Sequence, residues 1–298
     1  MRTVVVLTNP AAGVGQADKS ARRAVARLRE RGLDVIDVAG NDAQDTVRIA
    51  RAAVDRGPDA LVVVGGDGMI HLAIQELAGS GVPLGVIPAG TGNDIAREFG
   101  LPRNAPEDAA DVVAAGHSEP IDIGRVVRPD GGVTYFATIV AAGFDSLVND
   151  RANRMRWPRG RSRYNVAVLA ELAGLRPLPF RLELPEGGVL ERELTLAAIG
   201  NTRSYGGGMR ICPQADPTDG LLDVTLVGKM PRAKLVRFFP SVFSGKHVRH
   251  EEVQTLRVAR VRIDSAGINA YADGDFVAPL PVEVDVLPGG LRLLRLDS

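Results

Sequence analysis

A chain of 298 residues, 45% of them hydrophobic, is long enough to bury a large core and too long for one ordinary domain, so two domains are expected. Its 36 Lys and Arg balance 36 Asp and Glu, which removes the basic field needed to hold a polyphosphate backbone and excludes nucleic acid as the expected partner. The lone cysteine, Cys212, has no internal disulfide partner, no charged-then-apolar leader opens the chain, and no apolar stretch reaches the roughly 20 residues of a membrane span, so a cytoplasmic location is expected.

The first part alternates short β-rich runs with amphipathic segments. TVVVL (3–7), DVIDV (34–38), ALVVV (60–64) and PLGVI (83–87) read as strands. Between them, 19–31 sets Ala24, Val25 and Leu28 on one helical face, and 46–55 does the same with Val47, Ile49, Ala50 and Val54. This is the grammar of a doubly wound parallel α/β sheet with helices on both faces. After about Pro120 the pattern changes to β-runs separated by turn signals such as RPDGG (128–132) and PEGG (185–188), which predict hairpins and a β-sandwich. Strands are expected at 121–127, 133–142, 180–184, 194–199, 222–227, 256–263 and 282–287, and one helix at 233–243. The division drawn is 1–122 for the α/β domain, with the tail 288–298 a candidate to complete it, and 123–287 for the sandwich.

Three of the four parallel strands run into loops rich in Gly, Asn and Asp: NPAAGVGQ (9–16), GGDG (65–68) and PAGTGND (88–94). Ligands of open α/β sheets bind at the carboxyl ends of the strands, so these loops should converge on one crevice. Glycine lets backbone N–H groups approach phosphate oxygens, and helices starting near Met69 and Asp94 would aim their positive ends at the same charge. The candidate nucleotide-binding residues are Asn9, Pro10, Gly13, Gly65, Gly66, Asp67, Gly68, Gly90, Thr91, Asn93 and Asp94. None of the loops has the Gly-Lys-Ser/Thr ending of a P-loop or GxGxxG spacing. Asp67 would repel phosphate unless a cation stood between them, which suggests Mg²⁺. Any single loop of this kind is also an ordinary tight βα turn; three together argue for a site.

GGDG after a buried strand, PAGTGND some twenty residues later and the opening NP-x-x-G together resemble the catalytic domain of diacylglycerol and sphingosine kinases, including the soluble bacterial lipid kinases. AAGFDSLV (141–148), PQADPTDGLLDV (213–224) and YADGDF (271–276) stand in the family's order, so the resemblance covers nearly the whole chain. It implies a phosphofructokinase-like first domain, a β-sandwich second domain, ATP in the cleft between them, and a lipid hydroxyl as acceptor, with diacylglycerol leading. It also implies that Asp275 accepts the hydroxyl proton, with Asp273 orienting it or binding metal. By spacing alone, the Asp-Gly of this segment is also a turn. The resemblance implies a second Mg²⁺ on the Asp219 carboxylate with the backbone carbonyls of Asp216 and Leu221, although Asp219 also suits a type I turn. Two positions depart from the family pattern: Met69 replaces the usual Thr, and Asp275 replaces a Glu.

The histidines, His71, His117, His247 and His250, lack metal-ligand spacing, so surface or capping roles are expected, and Cys212 reads as a small packed residue. The segment 151–163 carries six arginines, among them Arg151, Arg154, Arg156 and Arg159, around Met155 and Trp157. Arg with Trp is the composition that sits at anionic headgroups, so a peripheral membrane contact is expected here; the bland alternative is a solvated basic loop. A homodimer is the default assembly. NAD kinases and phosphofructokinases also carry a GGDG loop, which keeps a soluble-metabolite kinase as the nearest alternative. A regulatory nucleotide-binding module is the other, and it would leave Asp273 and Asp275 without a task.

Overall fold

The computed structural model describes residues 3–8, 16–155, 157, 166–167, 170–171, 174 and 176–297. Strands β1 (Thr3–Thr8), β2 (Asp34–Ala39), β3 (Ala60–Gly65) and β4 (Leu84–Pro88) form a parallel sheet in the order β4-β3-β1-β2. All six residues of β3 and all five of β4 are buried, which is why these strands read as apolar runs and not as alternations. Val5 and Leu7 face one core, beside α2 (Ala43–Val54) and α3 (Asp67–Leu77). Val4 and Val6 face the other, beside α1 (Gln16–Glu30) and α5 (Pro106–Ala115). Both faces are thereby covered, and α4 (Asp94–Glu98) is a single short turn. The helix α5 went unread although its signals are present: Pro106 in its first turn, Glu107 and Asp108 after it, and Gly116 at φ 72° closing it.

The second half is a β-sandwich. Its hairpin signals hold: RPDGG joins β5 (Ser118–Val127) to β6 (Val133–Phe136), and PEGG joins β8 (Leu178–Glu183) to β9 (Val189–Gly200). The single strand expected at 133–142 is instead two, β6 and β7 (Ile139–Gly143), because Ala137 and Thr138 give their N–H groups to a side chain, Asp273, in place of a neighbouring strand. Likewise 256–263 divides after β10 (Leu222–Gly228) into β11 (Val253–Val258), which pairs with β10, and β12 (Arg260–Asp264), which pairs with β8. Helix α6 (Phe144–Arg154) was not anticipated, whereas α7 (Arg232–Phe243) stands where the spacing predicts a helix. The chain then forms the hairpin β13 (Asn269–Ala272) and β14 (Asp275–Pro279) and ends in β15 (Val282–Leu294). β15 runs antiparallel to β5 and β12, and near its end Leu293 pairs with Leu84 of β4, so one continuous sheet joins the two halves.

Candidate active site

A cavity of about 870 Å³ lies where the halves meet. One wall is made by the loop after β3, with Gly66, Asp67 and Gly68, and by the loop after β4, with Gly90, Thr91 and Gly92. The opposite wall is Thr138, Ile139, Tyr271, Asp273, Gly274 and the loop 205–209. Two of the three glycine-rich loops therefore do converge; the third, with Asn9, Pro10 and Gly13, lies outside the described residues.

The two loops touch backbone to backbone. A Cβ on Gly90 would come within 2.4 Å of the Gly66 Cα, so glycine is demanded here by close approach. Asn93, at φ 52°, folds the second loop on itself: its Oδ1 accepts the Gly90 N–H at 3.1 Å and its Nδ2 donates to the Gly90 carbonyl at 2.9 Å. Both ends of its amide are thus occupied within the loop. Asp94 is buried, pairs with Arg97, and accepts the Gly207 N–H at 2.7 Å, tying this loop to the far wall. Gly206, Gly207 and Gly208 all have positive φ, which explains a GGG run that the sequence reading passed over. With five residues α4 is too short for the dipole role expected at Asp94, whereas α3, with eleven, opens at Asp67. At Gly68 a Cβ would meet nothing within 4 Å, so the space beside it is open to a ligand. Gly65 is different: it lies under the Met69 side chain, whose Cγ would stand 2.7 Å from its Cβ. Met69 thus fills space against the backbone, and the hydroxyl of the family's usual Thr is replaced by packing.

Asp67 lines the cavity, and its Oδ1 accepts the Ile95 N–H at 3.2 Å. Burial pushes its carboxyl up, and the charges of Asp94 and Asp273 add to that push against the pull of backbone N–H groups at Asp94 and Ile95. A half-buried carboxylate beside other carboxylates favours a cation. Among the described residues no three His, Cys, Asp or Glu side chains converge to hold an ion alone. The donor set suits Mg²⁺ shared between a carboxylate and nucleotide phosphates.

The DGD segment is a hairpin turn: Ala272 pairs with Asp275, and Asp273 (φ 52°) and Gly274 (φ 92°) are its two central residues. The turn preference and the functional reading meet in one residue, because the Asp273 carboxylate points inward. Its Oδ1 accepts the Thr138 N–H at 2.7 Å and the Thr138 hydroxyl at 2.6 Å, and its Oδ2 accepts the Ala137 N–H at 3.0 Å and faces His71 Nδ1 at 3.0 Å. Burial pushes this carboxyl up, but the bonds and charge of His71 and the bonds from Thr138 and Ala137 outweigh it and hold it below its usual range. His71 responds in the opposite sense: burial lowers it, and the Asp273 bond and charge, with the Asp275 charge, carry it above its usual range. His71 was expected at the surface or in a cap. It is buried in the site, and its place four residues after Asp67 on α3, hence on the same helical face, was the signal that could have found it. With four donors Asp273 has no lone pair to spare for a metal. Asp275 is the freer group: exposed one residue beyond the cavity-lining Gly274, it accepts no hydrogen bond among the described residues, and partial desolvation of its carboxyl and the Asp273 charge push it up against the pull of His71.

The turn holding Asp216, Asp219 and Leu221 is a separate place. Asp216 Oδ1 accepts the Thr218 hydroxyl at 2.6 Å, Asp219 Oδ1 accepts the Leu221 N–H at 2.9 Å, and Asp219 pairs with Arg257. Asp122 clamps the turn, accepting the Gly220 N–H at 2.7 Å and the Gly289 N–H at 2.7 Å. A cation here would have to share Asp219 with the guanidinium, and Arg257 also faces the Asp223 Oδ2 at 3.5 Å, so the arginine already offsets both carboxylates. Cys212 is packed as expected, and burial pushes its thiol up to about 12. His247 is also buried, against the surface role expected of it, with Nε2 3.0 Å from the Ile211 carbonyl. Of the basic segment, Arg154 and Trp157 are exposed, Trp157 at 82%, Arg151 pairs with Glu171, and Arg156 and Arg159 lie outside the described residues.

Comparison with known proteins gives two family matches: the diacylglycerol kinase catalytic domain over residues 3–126, and the YegS C-terminal NAD kinase beta sandwich-like domain over 138–295. A diacylglycerol kinase of Mycobacterium tuberculosis is 55% identical over 98% of this chain and 94% of its own length. One of Bacillus subtilis is 29% identical over 95% and 93%. A solved putative diacylglycerol kinase from Bacillus anthracis shares the fold with a TM-score of 0.80 at 21% identity, covering 99% of this chain and 97% of that one. No helix among the described residues is long and apolar enough to cross a membrane.

Proposed function

The chain belongs to the family of diacylglycerol kinases and YegS-like lipid kinases, and from that premise we propose that it transfers the γ-phosphate of ATP to the free hydroxyl of diacylglycerol. The observation that carries this reading is a division of labour across one cleft: a half-buried, cation-seeking carboxylate among glycines on one wall, Asp67, and an unbonded carboxylate, Asp275, one residue beyond Gly274 of the opposite wall.

Phosphoryl transfer asks a protein to hold donor and acceptor in line, offset charge and take a proton. Gly68 leaves the phosphates room against the backbone, and Gly66 and Gly90 let the two loops close on each other beside it. Asp67 would hold Mg²⁺, which would supply neutralisation of the phosphate oxygens. Asp275 takes the hydroxyl proton as the oxygen attacks phosphorus, and its raised carboxyl is the better base for it; such a base contributes about 10²- to 10⁴-fold. Asp273 and His71 fix the hairpin on which Asp275 rides. The exposed Phe276 beside it gives an apolar contact suited to a lipid, and the segment 151–163, with Trp157, supports a peripheral contact with the membrane that holds it.

The test is transfer of labelled phosphate from ATP to a panel of lipids in mixed micelles, with NAD as a soluble acceptor in parallel. Diacylglycerol should be the best acceptor. Transfer to NAD with none to any lipid would overturn the reading.

A further inference from the structure

Helix α7 carries two apolar stripes, and the fold covers one of them. Leu235, Phe238 and Val242, at i, i+3 and i+7, are buried in one cluster with Ile139 and Met209, which line the active-site cavity. The adjacent stripe, one residue on at each position, is Val236, Phe239 and Phe243, and these are 60, 43 and 48% exposed. Phe239 and Phe243 stack edge to face with centroids 5.8 Å apart, a continuous aromatic ridge in water. The ridge is coupled to the cavity, because the Arg210 N–H donates to the Val242 carbonyl at 3.1 Å and Arg210 follows the cavity-lining Met209.

Lys234 of α7 pairs with Glu252 and Glu251, but other cations around this ridge go unmatched. Lys229, Arg210, Arg237, Lys246 and Arg249 are exposed and make no ion pair among the described residues. Some exposed cations elsewhere are matched, as Arg23 is by Glu107 and Arg51 by Glu76, while Lys19, Arg56, Arg103, Arg192 and Arg260 are exposed without an ion pair among the described residues but stand beside no exposed aromatic ridge. In a chain with no net charge, unpaired cations beside exposed aromatics mark a place where the complementary charge is external.

We propose that the outward face of α7 docks on an anionic lipid bilayer, with Phe239 and Phe243 entering the headgroup boundary and the surrounding Lys and Arg meeting lipid phosphates. The choice of a bilayer as occupant rests on the lipid-kinase reading; the ridge and its charge do not. This contact is separate from the segment 151–163, and it places the membrane one loop away from the cavity wall.

The test is sedimentation of the full chain with phosphatidylglycerol–phosphatidylcholine vesicles, alongside turnover on a water-soluble short-chain diacylglycerol. Phe239→Gln with Phe243→Gln should weaken vesicle binding by roughly tenfold or more while soluble turnover is unchanged. Arg237→Gln with Lys246→Gln should weaken it at low salt and match the parent at about 0.5 M salt. Vesicle binding through α7 by a protein that phosphorylates no lipid would keep the surface and discard the function. Unchanged binding in the aromatic variant, or none in the parent, overturns the proposal; so does a parent dimer that this variant converts to monomer, which would assign the ridge to a second copy.

Discussion

Replacing Asp273 by Asn should cost the fold more than the chemistry. The amide keeps one acceptor oxygen but turns an NH₂ toward two donors, either the Thr138 N–H and hydroxyl or the Ala137 N–H and His71. The Thr138 hydroxyl or His71 Nδ1 can turn acceptor for the NH₂, so the bond from the backbone N–H beside it is the one lost, about 1.5–3 kcal/mol for a bond to a charged group. The backbone does not add to this, since Asn tolerates φ 52° as Asp does. For a chain of this size each kcal/mol lowers Tm by about 2–4 °C, so a fall of roughly 3–12 °C is expected by calorimetry. Asp275→Asn removes no hydrogen bond seen among the described residues and should leave Tm nearly unchanged, while kcat falls about 10²- to 10⁴-fold with ATP affinity kept. Asp275→Glu should stay active. An Asp273→Asn protein that melts with the parent and has lost turnover would refute the division made here and move the base to Asp273.

Asp67→Ala should abolish transfer in a folded protein, since it removes the cavity-lining carboxylate that opens α3; circular dichroism and labelled-phosphate transfer check both halves. Gly90→Ala forces the loops apart, and overpacking of this kind costs about 1–3 kcal/mol, so calorimetry should show a lower Tm and ATP titration a weaker Kd. The Asp273–His71 pair also sets a pH window. The depressed Asp273 carboxyl stabilises the fold above its ordinary value of 3.8 and is lost as pH falls through the folded value. The raised His71 contributes fully below 6.5, and its share is lost as pH rises through the folded value. Melting curves of the parent should therefore decline on both flanks, and His71→Gln should flatten the alkaline one.

Much of the first sheet was legible because β1, β3 and β4 are buried on both faces and leave unbroken Val and Ile runs. The glycine loops were legible because close backbone approach admits no other residue, as at Gly66 and Gly90. What stayed hidden depends on partners distant in the chain. Asp273 and His71 lie 202 residues apart, so neither residue announces that the other satisfies it. The break between β6 and β7 has the same origin, since a strand-like run cannot reveal that two of its N–H groups serve a remote carboxylate. The Gly206–Gly208 run could have been read as a backbone demand, but only the Asp94 bond to Gly207 shows what the demand serves.

The path of β15 decides how this protein could be cut or could move. Its 13 residues pair with β5 and β12 and then reach β4, and Leu291, Leu293 and Leu294 are buried at the end that closes the first domain's cores. A fragment stopping at residue 122 would lack those leucines and bare the edge of β4, so it should aggregate in place of behaving as a free nucleotide-binding domain. For the same reason the cleft has no slack tether about which to swing open. Any widening on product release must come from flexing a shared strand, and stiffening β15 should slow release without touching a residue that meets either substrate.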